Sequence, residues 1–308
     1  MKFPLTTMRE SCFATLAYFD LFDYPLTLPE IQRYFLGKQP GRETLEYFLD
    51  SHARQIGFRE GYYFLKGREN LVEIRRQREL IAERLWSKAR FYLPFIRFVP
   101  FVKMVGVCNT LAIDNPTKES DIDLFIVAGR KRLFFVRFLT VFLFGALGVR
   151  RHGNRIAGRF CLSFYVDEET MNLQAIQQSE RDIYLPFWIA TMKPVYGLHT
   201  YERFMKDNDW IKTYFDRDIE SKRDFFKSGK FWRFWAWLKE KFWNGRLGDY
   251  VEAKLGYAQL KRHERNLYHL GKDASVVVSE HMLKFHNIDR RSDIARRFER
   301  RLEEVLAF

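Results

Sequence analysis

The chain has 308 residues, a formal net charge of +13 and an aromatic share of 17%. That length accommodates two or three domains, and the positive excess points to an anionic partner: nucleic acid, nucleotide or an acidic membrane face. Three widely spaced cysteines, Cys12, Cys108 and Cys161, with no CxxC, argue against a disulfide framework or a zinc knuckle. Early charges and no small-residue cleavage site argue against a signal peptide, so the expected location is cytoplasmic.

Residues 1–68 predict three short helices and a hairpin. "RESCFATLAYFDLF" has helical spacing, and Pro25 stops it. "TLPEIQRYFLG" begins with Thr27 as N-cap and Glu30 three residues on, a capping-box pattern, and ends at Gly37. "RETLEYFLDSHA" is the third helix, and "IGFREGYYFLKG" alternates about a turn at Glu60-Gly61. This order resembles a winged helix. Its third helix carries Glu43, Glu46 and Asp50 against Arg42, the wrong sign for phosphate. A protein-contact or regulatory module is favoured over a DNA reader.

Residues 69–200 predict a long basic helix to about Arg90, a strand "FVKMVGV", a loop "DNPTKES", a strand, an apolar helix and a strand within "RFCLSFYV". The apolar segment 133–149 is at the short limit for a membrane span. Arg137 in its first half, and basic clusters on both sides, favour burial against a sheet.

The second of these strands opens "ESDIDLFIV", with Asp121 and Asp123 two apart. In an extended chain both carboxylates face one side, and like charges so placed repel unless something positive lies between them. Asn109-Thr110 sits at the exit of the preceding strand. Together, "MVGVCNTLA" and "ESDIDLFIV" resemble the DNA polymerase β-like nucleotidyltransferase superfamily, of the minimal nucleotidyltransferase type. The resemblance covers roughly residues 70–200 and carries departures: Asn109 replaces the turn glycine, and Thr110 replaces the serine.

The resemblance implies that Asp121 and Asp123 bind Mg²⁺, with Mn²⁺ as an alternative, and that Asn109 and Thr110 hold the triphosphate of an NTP. The implied reaction transfers a nucleoside monophosphate to RNA, a protein or a small molecule. A third carboxylate belongs on a later strand. None lies inside "RFCLSFYVD": Ser163 stands where an acid is expected, and Asp167 ends the strand. Either Asp167 completes the catalytic set, or two carboxylates alone bind metal. The alternative function is a catalytically degenerate fold serving as a nucleic-acid-binding or regulatory partner. Lys118 is a candidate phosphate grip, as are Arg130, Lys131 and Arg132, although solubility explains them equally. Arg137 either faces the site or pairs structurally.

Residues 201–308 read as helical. In "KFWRFWAWLKEKFWNGRL", Phe231, Phe234, Trp235, Leu238 and Phe242 share one helical face, with Trp232 and Trp237 beside cations. Core packing is the favoured role, with RNA stacking and a membrane interface as alternatives. "MLKFHNIDRR" places His286, Asp289, Arg290 and Arg291 before the last helix, where a capping and surface cluster is the default and a functional role the alternative. The chain as a whole reads as α+β: a winged-helix-like module (1–68), a nucleotidyltransferase-type core with a small mixed sheet (69–200) and a helical C-terminal region (201–308).

Overall fold

The computed structural model describes residues 5–216, 230–270, 276–285 and 289–307, and for 230–233 and 263–270 the backbone alone. It is a mixed α/β chain. The first part holds α1 (Met8–Asp20), β1 (Leu26–Thr27), α2 (Leu28–Arg33), α3 (Arg42–Ser51), β2 (Ile56–Arg59) and β3 (Tyr62–Leu65). The three helices and the hairpin follow the expected order, and the short β1 adds a third strand, in the order β1-β3-β2. The hairpin turns through Glu60 and Gly61, both at positive φ (55° and 87°), the backbone that a two-residue turn between twisted strands requires. The capping box at Thr27 is formed: Glu30 N donates to the threonine hydroxyl, and Thr27 N donates to the Glu30 carboxylate.

The second part begins with α4 (Leu71–Tyr92) and a 3₁₀ segment (Leu93–Phe98). There follow β4 (Val102–Val107), α5 (Asn109–Ala112), β5 (Ile122–Ala128), α6 (Leu133–Ala146), β6 (Phe160–Asp167), α7 (Tyr184–Thr191), β7 (Lys193–Tyr196) and α8 (Leu198–Asp207). The third part holds α9 (Lys230–Trp243), α10 (Arg246–Leu270), β8 (Val276–Val278), β9 (Met282–Phe285) and α11 (Arg291–Leu306). The large sheet runs β7-β4-β5-β6-β9-β8. Among its described strands only β5 and β6 pair in parallel, joined through α6; the other neighbours are antiparallel. The C-terminal region is thus not purely helical: β8 and β9 extend the sheet beyond β6. Their brevity hides them, since three- and four-residue runs show no period of their own.

Alternation along β5 explains its continuous apolarity. Leu124 and Ile126 face a core shared with α4 and α6; Phe125 and Val127 face a second core with α7, α8 and α11. A strand covered on both faces has no polar side to show. The second core also takes in α1: the rings of Tyr18 and Phe187 stack at 3.7 Å, 11° apart. The N-terminal helices thus share that core with α7, while Phe64 and Tyr62 of β3 pack separately against Leu71, Val72 and Ile74 of α4.

Helix α6 ends at Ala146, with Gly148 beyond it at φ 67°. It buries Leu133, Phe134, Phe135, Val136, Thr140 and Phe144, but Phe138 and Phe142 are exposed. Its first amides are satisfied from α10: Phe134 N and Phe135 N donate to the Glu252 carboxylate at 2.9 and 2.8 Å. That caps the positive end of the helix with an anion. Among the described residues no helix is long and apolar enough to cross a membrane.

Candidate functional site

The site starts where β4 ends. Cys108 N donates to the Asp123 carbonyl at 3.0 Å, which pins the exit of β4 to the head of β5. The next residue, Asn109, takes a left-handed backbone at φ 56° and opens the single turn of α5. Asparagine tolerates that region better than most residues. Its Nδ2 donates to Asp123 Oδ2 at 2.8 Å, and its Oδ1 accepts from the Tyr184 hydroxyl at 3.0 Å. Asp121 lies two residues back along the chain, and Arg151 Nη1 donates to its Oδ2 at 2.7 Å.

Cys161 is the cross-strand partner of Asp123 in the parallel β5–β6 register. Ligand atoms of Asp121, Asp123 and Cys161 all lie within 4.8 Å of one another. Burial and the neighbouring Asp121 charge push the Asp123 carboxyl up to about 6, against the hydrogen bond from Asn109. Burial, then the two aspartates, push the Cys161 thiol well above its ordinary range. It remains a neutral thiol whose Sγ donates to Ser163 Oγ at 3.2 Å. The donors on offer are thus hard carboxylate oxygens, with open space beside them for water or phosphate oxygens. That set fits Mg²⁺ or Mn²⁺.

The pair opens on a cavity of about 400 Å³. Asn109, Thr110, Asp121 and Asp123 form one wall, and Phe164 and Trp188 an apolar side with their rings stacked at 5.4 Å. Lys284, Asp289, Arg290 and Arg291 also line it, delivered by β9 and the start of α11. Arg291 is committed: it bonds to Asp289 at 2.7 Å, to Asp182 at 3.1 Å and to the Ile176 carbonyl at 2.7 Å. Lys284 Nζ is 3.7 Å from Asp289, and burial, then Arg291, lower its affinity for a proton. Arg290 is exposed at the rim.

Asn109, Thr110, Asp121 and Asp123 therefore come together as the sequence suggests. Asp167 does not join them. It pairs with Ala128, five residues along β5 from Asp123, which is about 17 Å at the rise of a strand. There it is buried, 2.7 Å from His281 Nδ1, and accepts from Glu169 N. Lys118 is exposed on its loop, outside the cavity wall. Arg130 and Arg132 lie past the same far end of β5, paired with Glu169 and Asp249, and Lys131 is exposed there. Arg137 is structural: it donates to Gln259 and lies 4.5 Å from the Phe285 ring centre.

The basic run before the last helix is more than a surface cluster, since Asp289, Arg290 and Arg291 line the cavity; His286 lies outside the described residues. Cys161, Arg151, Tyr184 and Lys284 join the site without any local sequence signal. Helix α9 departs from the packing expected of it. Phe234, Trp235, Leu238 and Phe242 of its proposed inner face are exposed, as is Trp237; the side chains of Phe231 and Trp232 lie outside the described set. No protein-family model, curated protein or solved structure matches the chain.

Proposed function

We propose that the chain is a divalent-metal-dependent nucleotidyltransferase of the DNA polymerase β-like type, with a winged-helix-like N-terminal module. The observation that carries this reading is the Asp121–Asp123 pair at the head of β5, beside the left-handed Asn109-Thr110 turn and open to the cavity. Asp121 and Asp123 hold the metal, which supplies charge neutralisation and Lewis acidity at the triphosphate. Asn109 and Thr110 cradle the phosphates. Lys284 and Arg290 take up negative charge from the other wall, and Phe164 and Trp188 exclude water from one side. An acceptor hydroxyl oxygen bonds to the α-phosphorus, the α–β bond breaks, pyrophosphate leaves, and the hydroxyl proton passes to solvent. The charge of the chain favours RNA as the acceptor.

A second reading has its own observation. Neutral Cys161 stands opposite Asp123, Ser163 takes the place on β6 where the family pattern puts a third carboxylate, and Arg151 already holds Asp121. On this reading the chain binds metal–nucleotide without turnover and acts as a regulatory or nucleic-acid-binding partner. Calorimetric titration with each NTP and Mg²⁺ or Mn²⁺, followed by a pyrophosphate-release assay over a panel of acceptors, separates the two. Release supports transfer, binding without release supports the second reading, and absence of binding overturns both.

A further inference from the structure

Helix α9 turns large apolar side chains away from the protein. Phe234, Trp237 and Phe242 are 56%, 53% and 67% exposed, and Leu238 is 39% exposed. Its inward contacts include polar ones: Lys239 donates to the Arg97 carbonyl, and Glu240 is held by Lys103 at 2.9 Å, while Trp243 meets the Phe135 ring at 5.1 Å. Beside it, the 3₁₀ segment exposes Phe98, with the Lys239 ammonium 5.9 Å from its ring centre. Contiguous exposed aromatic surface of this kind marks an interaction site.

Charge says what covers it. Residues 230–246 carry Lys230, Arg233, Lys239, Lys241 and Arg246 against the single acid Glu240, whose carboxylate Lys103 already holds. We propose that α9 docks the protein on an anionic phospholipid surface. Its rings and Leu238 enter the boundary between headgroups and acyl chains, and the exposed Lys241 and Arg246 reach the lipid phosphates. Tryptophan, phenylalanine and lysine side chains each suit that boundary, apolar along the body and polar only at a tip, if at all. Attachment is peripheral, since no described helix is a span. RNA fits the surface less well. Bases stack on rings spaced along a groove, whereas Phe234 and Trp237 sit 6.1 Å apart on an outward helix face, beside aliphatic Leu238. A second copy of the chain would bring the same cations together, which repels.

The test is flotation of the full chain with vesicles of phosphatidylcholine alone or mixed with phosphatidylglycerol. The wild-type chain is expected to float with the mixed vesicles, less at high salt, and weakly with phosphatidylcholine alone. A variant carrying Phe234→Ser, Trp237→Ser and Phe242→Ser should lose about tenfold or more in vesicle affinity, with unchanged circular dichroism and melting. Lys241→Glu, which keeps the rings, should weaken binding to the mixed vesicles only. No binding of the wild-type chain to mixed vesicles, or undiminished binding by the triple variant, overturns the proposal. So does a triple variant that loses single-stranded RNA binding or self-association while vesicle binding is absent throughout.

Discussion

The Asn109 side chain donates to Asp123 at 2.8 Å across a gap of fourteen residues and accepts from Tyr184 at 3.0 Å. One amide thus fixes the turn after β4 to the acid on β5 and both to α7. The same residue holds a positive φ, so it combines a conformational task with a bonding one.

Those two tasks separate by substitution. Asn109→Ala loses both, and Asn109→Gly loses only the hydrogen bonds. The alanine variant is expected to be less stable than the glycine variant by about 1 kcal/mol, the cost of a left-handed backbone for a residue with a Cβ. Urea denaturation of the two variants measures this; equal midpoints would contradict it.

Replacing Asp121 and Asp123 with asparagine should abolish Mn²⁺ binding, read by paramagnetic resonance, without lowering the melting temperature. Burial and Asp121 raise Asp123 toward 6, so the folded state carries a penalty above the unfolded-state pKa. That penalty starts to shrink as pH falls below about 6, where the folded carboxyl takes up its proton, and is gone only near the ordinary value of 3.8. Metal-free Asp123→Asn should therefore exceed the parent in stability by up to about 2 kcal/mol near neutral pH. The difference should narrow on acidification below pH 6 and close near pH 4. A gap that widened on acidification would refute the sign.

Lys284 offers a test of the cavity wall. Its burial and the Arg291 charge already disfavour its ammonium, and Asp289 keeps Arg291 as a partner. Lys284→Met should leave the fold stable. Affinity for metal–NTP should fall about tenfold, the value of one charge-assisted contact, and affinity for the bare nucleoside should be unchanged. Equal losses for both ligands would place Lys284 away from the phosphates.

Tyr18→Ala tests the shared core. Removing the ring stacked on Phe187 should cost about 3–5 kcal/mol. It should shift one cooperative unfolding transition monitored by both far- and near-ultraviolet dichroism. A separate early transition of the N-terminal part would show that it melts alone.

The legible parts of this molecule were local. The capping box at Thr27, the turn at Glu60-Gly61, the aspartate-headed strand β5 and the helix between β5 and β6 each carry their pattern within a few residues. The site was legible as far as Asn109, Thr110, Asp121 and Asp123, because adjacent strands β4 and β5 bring them together. Lys284, Asp289, Arg290 and Arg291 were not, because only the pairing of β9 with β6 brings them in. Asp167 misled for a geometric reason: the parallel register sets Cys161, not Asp167, beside Asp123. Helix α9 misled because its apolar stripe has the period of a buried face, and period alone does not say which surface covers it.

The pairing of β6 with β9 also sets an order of events. During synthesis β4, β5, α6 and β6 emerge well before β9, so for that interval β6 is the open edge of an unfinished sheet, with unpaired amides and carbonyls. The cavity gains its cationic wall only when β9 docks, and the same event covers β6 and moves the edge of the sheet out to β8.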